Sequence, residues 1–153
     1  MKTVSQMTPQ ELAEACAKMM WADDRASQGL GISLEKVAPG KAVLTMTVAD
    51  YMTNGHGNMH GGFMFALADS AFAFACNTYN QMTVAQHCSV TYIAPGSLGD
   101  VLTAEAREVS RKGRSGIYDI CVTREDGTVL AEFRGHSRTI NRTFLPVDDA
   151  ATA

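Results

Sequence analysis

The chain has 153 residues, 46% of them hydrophobic and 19% charged, which is enough for one globular domain with a real core. A net charge of -3, with Arg111-Lys112-Gly113-Arg114 as its one short basic run, excludes the electrostatic footprint of a nucleic-acid binder. Four scattered cysteines (Cys16, Cys76, Cys88, Cys121) form no C-x-x-C pair, and neither a secretion signal nor an uninterrupted membrane span is visible, so free thiols and a cytoplasmic location are expected.

Thr8-Pro9-Gln10-Glu11 has the form of a helix start, with threonine as cap, proline in the first turn and glutamate three residues after the cap. Leu12, Ala15, Cys16, Met19 and Met20 then recur at helical spacing, predicting an amphipathic helix to about Asp23 before Gly29-Leu30-Gly31 breaks the pattern. Ile32 to Val37 and Lys41 to Val48 alternate as strands around an Ala38-Pro39-Gly40 turn, with Ala42, Leu44, Met46 and Val48 on one face of the second. Asp50 to Met59 is a glycine- and asparagine-rich loop leading into a helix from Gly61 to about Asn77. Further strands are expected near residues 83–93, 101–110, 116–124 and 128–140, the last pair joined by the tight-hairpin dipeptide Asp126-Gly127. Residues 141–153 lose periodicity and are expected to form a frayed C-terminal tail, leaving residues 1–140 as a single domain. Runs of strands with segregated helices predict an α+β fold with an antiparallel sheet.

The helix beginning at Gly61 is apolar all round, so it must be buried on every side. A curved sheet wrapped round it covers most of that surface, and a second subunit can cover the rest. Yet it carries one acid, Asp69, whose helical neighbours Phe65, Ala66, Phe72 and Ala73 cannot pair with a carboxylate. Burying an unpaired charge is costly, so Asp69 either meets a group on another element or is kept for chemistry. At the start of the same helix, Gly61 and Gly62 carry backbone N–H groups without intrahelical partners, where the helix dipole adds positive charge. Glycine admits a substrate oxygen close to such donors, which is the form of an oxyanion hole. Asp69 lies eight residues on, about 12 Å along the axis, too far to act on a carbonyl held at Gly61 of its own chain. Two antiparallel copies of the helix across a two-fold axis would bring Asp69 of one chain to Gly61 of the other. The spacing therefore predicts an obligate homodimer with its sites at the interface.

These residues closely resemble hotdog-fold acyl-CoA thioesterases of the phenylacetate-pathway (PaaI) type, over roughly Gly29 to Ile140. The similar motifs are Asn54-Gly55-His56-Gly57-Asn58-Met59-His60-Gly61-Gly62, Leu67-Ala68-Asp69, Tyr92-Ile93-Ala94-Pro95-Gly96, Arg111-Lys112-Gly113-Arg114 and Gly116-Ile117-Tyr118-Asp119. The resemblance implies a hotdog fold, hydrolysis of small and preferably aromatic acyl-CoA thioesters such as hydroxyphenylacetyl-CoA, a tetramer of two dimers, and no metal or redox cofactor. It implies that Asp69 attacks the thioester carbonyl or activates water, and that Gly61 N–H polarises the thioester oxygen, with Gly62 beside it at the substrate. His60 would orient the loop or hold substrate, and Asn54 would bind the attacking water or position the acyl group. It also places Arg111, Lys112 and Arg114 near the phosphates of coenzyme A, which guanidinium and ammonium groups suit. In some relatives a Ser or Thr early in the strand at Thr83-Val84-Ala85-Gln86-His87-Cys88 assists the carboxylate. Here Ala85 or Gln86 stands there, and simple alternation of Val84, Gln86, Cys88, Val90 and Tyr92 lets Gln86 point inwards as a substitute.

Each assignment has a plainer counterpart. Asp69 can be a structurally paired acid, His60 a loop histidine bonded to backbone, and Asn54 a turn residue with positive φ before Gly55. The basic turn can be a solvated charge cluster. His56 and His60 share a flexible loop with no third ligand in view, so no metal is expected. Phe63, Phe65, Phe72 and Phe74 read as core, with one of them open to use by an acyl pocket. Two other functions share the same residues: a hotdog-fold dehydratase or hydratase of hydroxyacyl thioesters, using His60 and Asp69, and a non-catalytic acyl-CoA-binding protein.

Overall fold

The structure is a computed structural model, described here for residues 1–148. Its elements are helices α1 (Pro9–Asp23), α2 (Arg25–Gly29) and α3 (Gly61–Cys76), and strands β1 (Ser33–Ala38), β2 (Lys41–Thr47), β3 (Thr83–Tyr92), β4 (Val101–Lys112), β5 (Ser115–Thr123) and β6 (Val129–Thr139). The six strands make one sheet in the order β1-β2-β4-β5-β6-β3, and every neighbouring pair is antiparallel. A flat six-stranded sheet would be roughly 24 Å wide, about twice the width of a helix. This sheet curls round α3, which contacts all six strands. The arrangement is the α+β hotdog fold that the sequence predicts, with α1 as the short N-terminal helix.

Local chemistry explains the element boundaries. Thr8 and Glu11 form a reciprocal capping box at the start of α1, the side chain of each accepting from the other's backbone N–H. Asp24 ends α1 and caps α2, accepting from Ser27 N–H at 2.9 Å and from the Ser27 hydroxyl at 2.6 Å. The sequence pattern does not reveal α2, which is a single short turn of helix. It matters because buried Ser27 meets the Ser70 hydroxyl at 3.0 Å, tying the N-terminal helices to α3.

The core lies between α3 and the concave face of the sheet. Ala42, Leu44 and Met46 of β2, Leu102 and Ala104 of β4, Ile120 and Val122 of β5 and Phe133 of β6 are all buried there. They meet Leu67, Ala68, Ala71, Phe72, Phe74 and Ala75 of α3. Phe72 packs against Tyr118 and Phe133, with ring centroids 5.6 and 6.1 Å apart. It fits only because residue 135 is glycine: a Cβ there would lie 2.7 Å from its ring. One stripe of α3, made of Gly62, Phe65, Ala66, Asp69 and Ala73, is not fully covered within the chain. Beside it, β3 is an edge strand with Val84, Tyr92 and neighbouring Ile93 about half exposed.

Residues 141–148 contain neither helix nor strand, but they are not free. Asn80, at φ 55°, accepts from the N–H groups of Phe144 and Leu145 and donates to the Leu145 carbonyl, while Ser5 N–H donates to Asp148. Fraying is thus not what these residues do; the remainder of the expected tail, residues 149–153, lies outside the described residues. Among the described residues no helix is long and apolar enough to cross a membrane.

The contact between Gly135 and Phe72 generates a stability prediction. Gly135→Ala should destabilise the fold by about 1–3 kcal/mol, the usual cost of overpacking a tight core. Urea denaturation would register this as a lower midpoint at an unchanged slope, whereas an unchanged midpoint would mean that the ring moves aside freely.

Candidate active site

The loop before α3 is held by its own residues. Asn54 Oδ1 accepts from the N–H groups of His56 and Asn58 at 2.9 and 3.2 Å. Met59 N–H donates to the Gly96 carbonyl at 2.8 Å and His60 N–H to the Met52 carbonyl at 2.7 Å. Asn54 therefore builds the loop through its side-chain oxygen, not through a positive φ; among the described non-glycine residues only Asn80 has one. The Asn54 amide NH2 meets no protein acceptor among the described residues.

His60 is the cap of α3. Its Nδ1 accepts from Gly62 N–H at 2.9 Å, which places the proton of a neutral ring on Nε2. Phe63 N–H donates to the His60 carbonyl at 3.1 Å. From the end of β3, the Tyr92 hydroxyl donates to the Gly61 carbonyl at 2.9 Å. Gly61 N–H, by contrast, has no acceptor among the described residues. An unmatched donor at a helix start, with the dipole behind it, is suited to a developing negative oxygen.

Asp69 is half-buried on the uncovered stripe and takes part in no ion pair among the described residues. Its polar neighbour is the Cys88 thiol, with Sγ 4.0 Å from Oδ1, a weak donor at long range. Burial pushes the Asp69 carboxyl above its ordinary value of 3.8, because desolvation disfavours the charged form. Burial also raises the neighbouring thiols, Cys76 to about 12, and the charge on Asp69 adds to the effect, so both Cys76 and Cys88 stay protonated near neutrality.

The pairing of β3 corrects the expectation for Gln86. Ala85 lies opposite Ser137 and His87 opposite His136, so Gln86 is the extra residue of a β-bulge. Simple alternation fails across it. Ala85 is on the α3 side before the bulge, and Cys88, Val90 and Tyr92 are on that side after it, opposite Gly135, Phe133 and Ala131. Gln86 is exposed, and Cys88 is the strand residue that meets Asp69. The four residues from Cys88 to Tyr92 span about 13 Å of strand, and the eight from Asp69 to Gly61 about 12 Å of helix. The bulge thus sets two strand side chains in step with the two functional points of α3. Alternation alone already put Cys88 and Tyr92 on the inward face, but it could not show which points of α3 they meet. The available signal was Tyr92, a polar-tipped residue in an otherwise apolar inward set.

The remaining candidates lie elsewhere. The turn bearing Arg111, Lys112 and Arg114 is at the C-terminal end of α3, about 22 Å from Gly61 of the same chain by helix rise. Arg111 stacks 3.5 Å over the Tyr79 ring and pairs through Nε with Glu108 at 3.5 Å. Arg114 donates from Nε and a terminal nitrogen to the Thr139 carbonyl at 3.2 and 2.9 Å. Lys112 is exposed and meets no acceptor among the described residues. Phe72 and Phe74 are core, as expected, whereas Phe63 is half-buried at the mouth of α3, edge-on to Tyr51 and His60. A groove of about 880 Å³ between α1 and β1–β2 lies at the opposite sheet edge from β3 and contains neither Gly61 nor Asp69.

Comparison with known proteins gives a consistent result. A model of the thioesterase superfamily matches residues 56–131, from the loop before α3 into β6. The acyl-coenzyme A thioesterase PaaI of Escherichia coli (strain K12) is 41% identical over 128 residues, covering 84% of this chain and 91% of that protein. The solved structure of the E. coli PaaI protein, from the phenylacetic acid degradation operon, superposes with a TM-score of 0.87 at 39% identity, covering 89% of this chain and 99% of that one. A hypothetical thioesterase of Streptococcus pneumoniae TIGR4, solved with coenzyme A, matches with a TM-score of 0.70 at 25% identity over 73% of this chain and 90% of its own.

The environment of Asp69 sets a sign for its effect on stability. A carboxyl raised by desolvation destabilises the fold: the cost is absent well below 3.8, grows as pH rises from 3.8 to the raised folded value, and is full and constant above it. Asp69→Asn should therefore raise Tm at pH 7. The gain should shrink as the pH falls into the carboxyl range. Paired thermal melts across that range check it, and a lower Tm for the variant at pH 7 would mean that the charge is stabilised.

Proposed function

The chain belongs to the thioesterase superfamily, and on that premise we propose that it hydrolyses small acyl-CoA thioesters at sites shared between two copies of itself. One observation carries this reading: an unmatched N–H at the start of an apolar helix and an unpaired acid on an uncovered stripe of the same helix. Among the described residues the N–H has no acceptor and the acid meets only the long Cys88 thiol contact, and their separation of about 12 Å lets two antiparallel helices pair each with the other's. The half-exposed edge strand β3, bordering that stripe, supports a second copy as the cover. With the helices antiparallel, the basic turn at the end of one α3 lies towards the start of the partner's.

In this arrangement the thioester oxygen accepts from Gly61 N–H. The partner's Asp69 either attacks the carbonyl carbon, giving a mixed anhydride that water opens, or takes a proton from the water that attacks. CoA leaves as the thiol by either route. Both routes pass through an oxyanion, so both use the Gly61 donor, for which loss of one such contact is worth roughly 3–4 kcal/mol of barrier. Desolvation makes Asp69 a stronger base than a carboxylate in water, and the partner's helix dipole moderates the shift. His60 caps and orients α3, with Gly62 as the residue it holds. Asn54, its oxygen committed to the loop, has an amide NH2 to offer the attacking water or the acyl group.

Lys112, and the unused nitrogens of Arg111 and Arg114, suit the phosphates of coenzyme A. Aromatic acyl groups fit the collar of Tyr51, His60 and Phe63 beside Gly61, and the relative from the phenylacetic acid degradation operon supports a role in phenylacetate catabolism. Residues 1–140 form the catalytic domain, two dimers join in a tetramer as the family resemblance implies, and four unpaired thiols suit the cytoplasm.

Thiol release assayed across phenylacetyl, hydroxyphenylacetyl, benzoyl and straight-chain CoA esters tests the proposal. Hydrolysis is expected, fastest with an aromatic ester, and Asp69→Asn should lower kcat at least about 100-fold. Near-normal turnover in Asp69→Asn would remove that carboxylate from the chemistry. Water loss from a hydroxyacyl ester without thiol release would make the protein a dehydratase instead.

A further inference from the structure

We propose that Tyr92 is a positioning residue for the oxyanion donor, acting with His60 as a two-sided clamp on the Gly61–Gly62 peptide; the proposal rests on the hydrolase reading above. The argument is an accounting of three consecutive peptide units. In the first, His60 N–H donates to the Met52 carbonyl. In the third, both polar groups are engaged from outside the backbone: the carbonyl of Gly61 by the Tyr92 hydroxyl at 2.9 Å, and the N–H of Gly62 by His60 Nδ1 at 2.9 Å. The middle unit is thus flanked by two pinned neighbours, and its own carbonyl accepts from Phe63 N–H. Its N–H, on Gly61, is left unengaged. A donor aimed by fixed neighbours needs no reorganisation when charge develops, which is what makes such donors effective.

The same two side chains account for both glycines. A Cβ at Gly61 would lie 3.0 Å from Tyr92 Cζ and 3.1 Å from its hydroxyl oxygen, and a Cβ at Gly62 would lie 3.0 Å from His60 Nδ1. Each jaw of the clamp closes to a distance at which a Cβ would make the side chain give way by a few tenths of an ångström. After the register shift at Gln86, Tyr92 lies opposite Ala131 at the end of β3, within reach of Gly61.

Tyr92→Phe keeps the ring and removes only the hydroxyl. Two readouts on the full-length protein test the clamp: steady-state kinetics with the best CoA ester, and amide hydrogen exchange of Gly61 and Gly62 by NMR. The expected result is a kcat lowered about three- to tenfold, the equivalent of one ordinary hydrogen bond, with KM within about twofold and Tm nearly unchanged. Gly62 exchange should accelerate. His60→Ala combined with Tyr92→Phe should cost less than the product of the single effects, since both act on one peptide. Unchanged exchange in Tyr92→Phe overturns the proposal whatever the activity, and so does faster exchange with an unchanged kcat. If the wild-type protein hydrolyses no thioester, the functional premise fails by itself, while the exchange arm still decides whether the clamp exists.

Discussion

A helix that is apolar on every face has to be covered on every face, and one sheet leaves a gap. In this protein the curled antiparallel sheet covers most of α3 and leaves a stripe that runs through Gly62, Phe65, Asp69 and Ala73. The stripe is where the one acid of the helix lies. Packing and chemistry are therefore governed by the same shortage of cover: whatever completes the core also completes the surroundings of Asp69. A carboxylate placed there has no cation among the described residues to offset its desolvation, so the fold holds a destabilising group at the point where a partner would approach.

Three-dimensional placement adds a second constraint, the match between helix and strand. Strand residues advance about twice as far as helical ones, so four residues of β3 keep pace with eight of α3. Cys88 meets Asp69 and Tyr92 meets Gly61 within that single match. A one-residue slip of β3 would send both side chains to the far face, because strand side chains alternate. The bulge at Gln86 shifts that phase between Ala85 and Cys88.

Much of the fold was legible because its signals are local. The capping box at Thr8, the alternation from Ala42 to Met46 and the Asp126-Gly127 turn each depend on residues within a few positions of one another, and their elements form at nearly the expected bounds. Helix α2 is too short for periodicity to register, and its cap serves a contact with Ser70 that only the folded chain displays. In the site, Asp69 and Gly61 stood out because an acid in an apolar helix and glycines at its start are anomalies of composition. Asn54 and Gln86 were harder. The role of Asn54 in the loop depends on hydrogen bonds to backbone two and four residues on, and the orientation of Gln86 on a register shift, neither of which alternation encodes.

The central claim is that one chain supplies the acid and the other the oxyanion donor. Co-assembling Asp69→Asn chains with Gly61→Ala chains, whose added Cβ crowds Tyr92 beside the donor, tests it most directly once each variant is shown inactive as a homodimer. In a mixed dimer, a shared site combines the intact Asp69 of one chain with the intact Gly61 of the other. Equal mixing should therefore restore about a quarter of wild-type thioester hydrolysis, one good site in the half of the dimers that are mixed. Mixtures that form heterodimers yet stay inactive would place both groups in a single chain and contradict the account.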